Sequence, residues 1–154
     1  MVYSISTAIL IATVAACFLW GRRGLSSFGR IQWALRVLTA LPLLVSGLLH
    51  LTRTALLATI IPPFFPYRSQ LVVFSGLLEL AGAIGLLLPA LTRPASVCLA
   101  LMMIAIFPAN VYAANQSVGG LHMPSVPIRL AMQVIYVVLL LVAGWGIPHR
   151  PKLS

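Results

Sequence analysis

The sequence predicts an all-α integral membrane protein, a four-helix transmembrane bundle with one extra N-terminal transmembrane helix. Three observations carry this reading. Apolar residues make up 61% of the 154 and charged residues only 7%, where soluble domains carry roughly 25% charged residues. Apolar runs close to the ~20 residues needed to cross a bilayer recur along the chain. The Lys and Arg residues fall singly or in pairs between those runs, as in polytopic membrane proteins. One acid stands against ten basic residues, a net charge of +9. No basic stripe interleaved with aromatics occurs, so nucleic acid is excluded as a partner. Cys17 and Cys98 form no CxxC, which excludes a disulfide scaffold and a Cys-ligated metal centre.

A single transmembrane domain is expected over residues 1–154. Its first segment, residues 3–20, is an accessory span. Val14-Ala15-Ala16-Cys17 there resembles a lipoprotein cleavage box. No basic region precedes it, and Arg22 and Arg23 follow, so a retained span is expected. The four-helix core is expected over 31–147. Its helices are read as Ile31 to Ala55, Ser69 to Leu88, Pro94 to Ala114 and Pro127 to Gly146. Pro94 and Pro127 suit first helical turns, where the missing N–H is not needed. Pro89 and Pro148 suit positions just past helix ends.

Residues 56–67 form a Pro/Phe-rich segment between the first two core helices. Ile60-Ile61-Pro62-Pro63-Phe64-Phe65-Pro66-Tyr67 cannot be helical throughout. It is expected as an outer interfacial segment anchored by its aromatics, or as a lid over an outward-facing cavity.

Seven basic residues (Arg22, Arg23, Arg30, Arg36, Arg93, Arg150, Lys152) fall on one side of a five-span topology and three (Arg53, Arg68, Arg129) on the other. Trp20, Trp33 and Trp145 lie at the first boundary. The positive-inside rule then predicts a bacterial cytoplasmic membrane protein with its N-terminus outside and its C-terminus in the cytoplasm.

Polar groups inside apolar spans are costly and point to function or to helix–helix contact. Arg36, Thr39, Leu43, Ser46, His50 and Arg53 alternate spacings of three and four, so they share one helix face. Glu79, the one acid, lies mid-span among Ser75, Gly82 and Ala83. Asn110 follows Phe107-Pro108-Ala109, and Arg129, Gln133 and Tyr136 share a face of the last span. At 1.5 Å of rise per residue, His50, Asn110 and Gln133 fall at roughly the same depth, about 6–8 Å below the outer boundary. These residues are expected to line one polar cavity. Glu79 and His50 are the candidate catalytic, proton-handling groups. Asn110, Gln133, Arg53 and Tyr112 are the candidate ligand contacts. The blander reading makes the polar residues interhelical hydrogen bonds and lets the outer arginines snorkel to headgroups. No metal is expected, because His50 and Glu79 supply two ligands where zinc takes three or four.

Ser46-Gly47-Leu48-Leu49-His50, Ile61-Pro62 through Pro66, Ser75-Gly76-Leu77-Leu78-Glu79-Leu80-Ala81-Gly82 and Phe107-Pro108-Ala109-Asn110 occur in that order. The set resembles the DoxX family of small bacterial membrane proteins over about residues 35–147. The resemblance implies a DoxX-like four-helix core and a loose association with redox systems. The expected function is thus a redox-associated membrane subunit holding a lipophilic molecule, such as a quinone, in the outer half of the bundle. Its partners would be the lipid bilayer and a protein of a membrane complex, with quinone as the possible cofactor. The alternative is a non-catalytic scaffold or assembly factor whose polar groups only fix helix packing.

Overall fold

The computed structural model describes residues 27–114, 116–118 and 120–145. The expected accessory span at 3–20, with Cys17 and Trp20, lies outside the described residues, as do Arg22, Arg23, Arg150 and Lys152. The elements are α1 (Ser27–Thr52), α2 (Thr54–Ala58), α3 (Arg68–Leu87), α4 (Thr92–Ala105), α5 (Phe107–Ala113), β1 (Ser117–Val118), β2 (Leu121–His122) and α6 (Val126–Gly144). Among the described residues, three helices, α1, α3 and α6, are long and apolar enough to cross a membrane; α4 and α5 reach that length only as a bent pair.

That bend corrects the expected single helix from Pro94 to Ala114. The chain breaks at Ile106 and turns by 43°. Pro108 is the cause. It has no N–H to offer the Ile104 carbonyl, and its ring crowds that carbonyl. It is accommodated by becoming one of the first residues of a new helix, α5. The first core helix also ends early, at Thr52 rather than Ala55, because Arg53 leaves helical geometry at φ −124°, ψ 31°. Pro42, by contrast, sits inside α1 without ending it.

Beyond the short α2, residues 59–67 run through turns. The Phe64 and Phe65 rings meet with centroids 4.6 Å apart. Tyr67 caps α3 in the left-handed region, at φ 56°. A two-rung antiparallel ladder pairs Ser117 with His122 and Val118 with Leu121. With two residues in each strand, it leaves the expected all-α class intact. Gly120, at φ 80°, makes the reversal, and the Gly119-Gly120 dipeptide was its sequence signal.

The four helical columns form a closed ring. α1 packs most extensively on α3, α3 on α4, α4 on α6, and α6 returns to α1. Ala40, Leu43, Ala83, Leu86, Leu99 and Leu140 fill its centre. Small residues let the columns approach closely. A Cβ on Gly47 would lie 2.8 Å from the Gly76 carbonyl oxygen, and one on Gly76 would lie 2.6 Å from the His50 Cβ. Gly144 similarly receives Ser96, whose hydroxyl donates to the Leu140 carbonyl at 2.9 Å. Polar ties close the α1–α6 seam: Arg36 Nε donates to the Ala143 carbonyl at 3.2 Å, and the Tyr136 hydroxyl donates to the Thr39 carbonyl at 2.5 Å.

The partition of residues differs from that of a soluble domain in being apolar outside as well as inside, with a few polar groups buried. Thr39, Glu79, Thr92 and Ser96 are buried, while Phe74, Leu77, Leu101, Ile104, Met132 and Ile135 are exposed. Soluble monomers rarely show apolar surface on every helix in this way.

Candidate functional site

Two polar clusters occupy the bundle, rather than the one shared cavity expected. The first lies at the α1–α3 crossing. Glu79 projects from the middle of α3 and is 2% exposed. His50, near the end of α1, places Nδ1 3.5 Å from Glu79 Oε2. The same Nδ1 lies 2.8 Å from the Ser46 carbonyl oxygen. A carbonyl only accepts, so the imidazole proton sits on Nδ1 and is directed chiefly at the main chain. Glu79 Oε2 is consequently buried without a hydrogen-bond partner. The close approach of Gly47 and Gly76 presses the two helices together beside this pair.

The second cluster follows from the break at Ile106. The bend carries α5 against α6, and Asn110 meets Gln133 and Arg129 there. Arg129 Nη1 donates to Asn110 Oδ1 at 3.0 Å, Asn110 Nδ2 donates to Gln133 Oε1 at 3.0 Å, and Gln133 Nε2 donates to the Met103 carbonyl at 2.9 Å. Arg129 Nε is shut off from solvent and has no partner. These side chains border an open groove of about 270 Å³, also lined by Met103, Pro124, Met132 and Tyr136. Tyr136 joins the two clusters. Its ring lines the groove, its hydroxyl holds Thr39 on α1, and it stands within electrostatic reach of Glu79.

The candidate residues therefore divide. Glu79 and His50 come together, and so do Asn110 and Gln133. Arg53 is exposed at the α1–α2 break, and Tyr112 is exposed on α5, its carbonyl accepting from Gln116 Nε2. Neither side chain is hydrogen-bonded into a cluster. Arg129, which the sequence places on one face with Gln133 and Tyr136 and which the blander reading lets snorkel, is built into the second network. Among the described residues, no group of three or more His, Cys, Asp or Glu is placed to hold a metal ion. A second groove, of about 290 Å³ between α3 and α4, is lined by Gly82, Gly85, Ala95, Cys98 and Leu99 and offers no charged group.

Residues 38–143 match the family described as Domain of unknown function (DUF8561). The match covers more than half of the chain, and the chain belongs to that family. No curated protein and no solved structure matches. The match overturns the resemblance to the DoxX family. The motifs that carried it are short and rich in Gly and Leu. Gly47 and Gly76 within them serve the α1–α3 crossing, a packing need that any tightly crossed pair of apolar helices shares.

Proposed function

We propose that this member of the DUF8561 family is an integral membrane protein that holds the polar head of a lipophilic molecule in the groove between the bent α4–α5 column and α6. The apolar exterior supports the membrane setting, since apolar side chains cover the outside of every long helix. The basic asymmetry of the loops supports a cytoplasmic C-terminus. One observation carries the binding role: Arg129, whose buried Nε has no partner, borders an open groove alongside Asn110 and Gln133. Native structures rarely leave such a donor unsatisfied, and a ligand atom is one standard remedy. An amphiphile suits the place because its tail stays among apolar side chains while its head meets the donors. A quinone, with acceptor carbonyls and an apolar tail, is one such molecule. Glu79 and His50 then stand behind Tyr136 as the nearest proton-handling pair.

The competing reading is a scaffold. The tight Gly47–Gly76 crossing favours it, because packing alone accounts for the first cluster's position. Gentle purification in detergent followed by mass spectrometry of extracted small molecules separates the two. A lipophilic molecule retained by the native protein and lost from a folded Gln133→Leu variant is the expected result. A stoichiometric protein partner with no retained small molecule would overturn the binding role.

A further inference from the structure

We infer that the head this groove takes is an oxyanion carried by a single-chain amphiphile, a deepening that rests on the binding role proposed above. The argument is an inventory of donors and acceptors. The Met103 carbonyl can only accept, so Gln133 must turn its NH₂ toward it and its oxygen toward Asn110. Asn110 must then give its NH₂ to Gln133, leaving its own oxygen to face Arg129, which can only donate. The orientation of both amides is fixed from both ends of the chain.

Each side-chain oxygen of the amide pair accepts one bond and keeps one lone pair. The unused donors outnumber those lone pairs: four guanidinium N–H groups of Arg129, the second Nδ2 hydrogen of Asn110 and the second Nε2 hydrogen of Gln133. A head that chiefly accepts fits this surplus of donors best. Charge narrows the class further. Glu79 is the one acidic side chain of the sequence, and it pairs with His50 on α1. Among the described residues no carboxylate is therefore left to neutralise Arg129. A carboxylate or phosphate oxygen would meet the guanidinium through a charge-assisted bond, the stronger kind. The groove's volume of about 270 Å³ lies at the small end for ligand sites, which suits one chain better than a two-chain phospholipid.

The test uses the full chain in nanodiscs of zwitterionic phosphatidylcholine, with radiolabelled hexadecanoate as probe. Competitors are unlabelled hexadecanoate, its methyl ester, a short-tailed quinone and phosphatidylglycerol. The acid is expected to compete at least about tenfold better than the ester or the quinone, the worth of one charge-assisted bond. In Arg129→Gln that preference should vanish while ester binding stays. Equal competition by ester or quinone would overturn the oxyanion head yet leave a ligand groove in place. Equal competition by phosphatidylglycerol would overturn the single-chain assignment. Failure of every probe to bind would remove the binding role itself. Should Arg129→Gln not fold, the comparison of acid with ester in the unaltered protein still decides the matter.

Discussion

The two polar clusters of this bundle are built on opposite plans. At the α1–α3 crossing, glycines bring the backbones together and the acid is sealed in, with His50 turned mainly to its own helix. At the α5–α6 contact, a proline breaks the helix and the polar groups border open space. The first leaves an acceptor unsatisfied, Glu79 Oε2, and the second a donor, Arg129 Nε. Within a ring of apolar helices, close packing thus hides a charge, while a break in a helix presents one.

The widest gap between the plans should appear on adding a methyl group to the crossing. Gly47→Ala would set a Cβ against the Gly76 carbonyl, a main-chain atom that cannot swing aside. A loss of about 3 kcal/mol, the upper range for overpacking, is expected as a fall in detergent melting temperature. Gly82→Ala would press on the side chain of the buried core residue Leu99 rather than on main chain; that side chain gives way only by repacking the core, so a smaller loss of about 1–2 kcal/mol is expected. Equal effects would erase the distinction between backbone and side-chain contact.

Gln133→Leu addresses the other plan. It strands Asn110 Nδ2 and the Met103 carbonyl together, for an expected loss of about 1–2 kcal/mol in the same melt and with it the retained small molecule. Glu79→Leu removes one partner of the His50–Glu79 pair and the carboxyl that the Ser46 side chain bonds. His50 is partly exposed and keeps its bond to the Ser46 carbonyl, so the expected loss is held to about 1 kcal/mol. An unchanged or raised melt in detergent would show that the acid does not hold the crossing together. The smallest change belongs to Tyr136→Phe, which removes the hydroxyl bond to Thr39. Interhelical bonds of this kind average about 0.6 kcal/mol, and both clusters should survive with the ligand still bound.

Much of this was legible in the chain. The regular three-and-four spacing along α1 and the mid-span position of Glu79 placed the His50–Glu79 pair, because a helix face repeats on that period. The helix limits fell within a few residues of those observed. The second cluster was harder to read. Asn110 and Gln133 were visible as polar groups in apolar runs, but an arginine near a span end reads as a snorkelling residue. Only the turn at Ile106 shows why Arg129 points inward instead. The effect of Pro108 was missed because Pro94 and Pro127 had already set proline as a boundary marker, and the apolar run simply continued through it. The family resemblance failed for a related reason: glycine and leucine strings report helix packing, which unrelated bundles share.

The bent column has a consequence for the surrounding lipid. On its own, α4 has 14 residues and rises about 21 Å, short of a hydrocarbon layer of about 30 Å. The seven residues of α5, leaning by 43°, bring the height to about 29 Å. In the proposed embedding this column has no length to spare, and neither does α3, at about 30 Å, or α6, at about 29 Å. A thicker bilayer therefore creates hydrophobic mismatch at all three, but the bent column alone among them can lengthen by straightening. Straightening the bend relieves it, and straightening draws Asn110 away from Gln133. Bilayer thickness thus acts on the donor network directly, and reconstitution in lipids of graded chain length turns the proline break into a gauge of membrane strain.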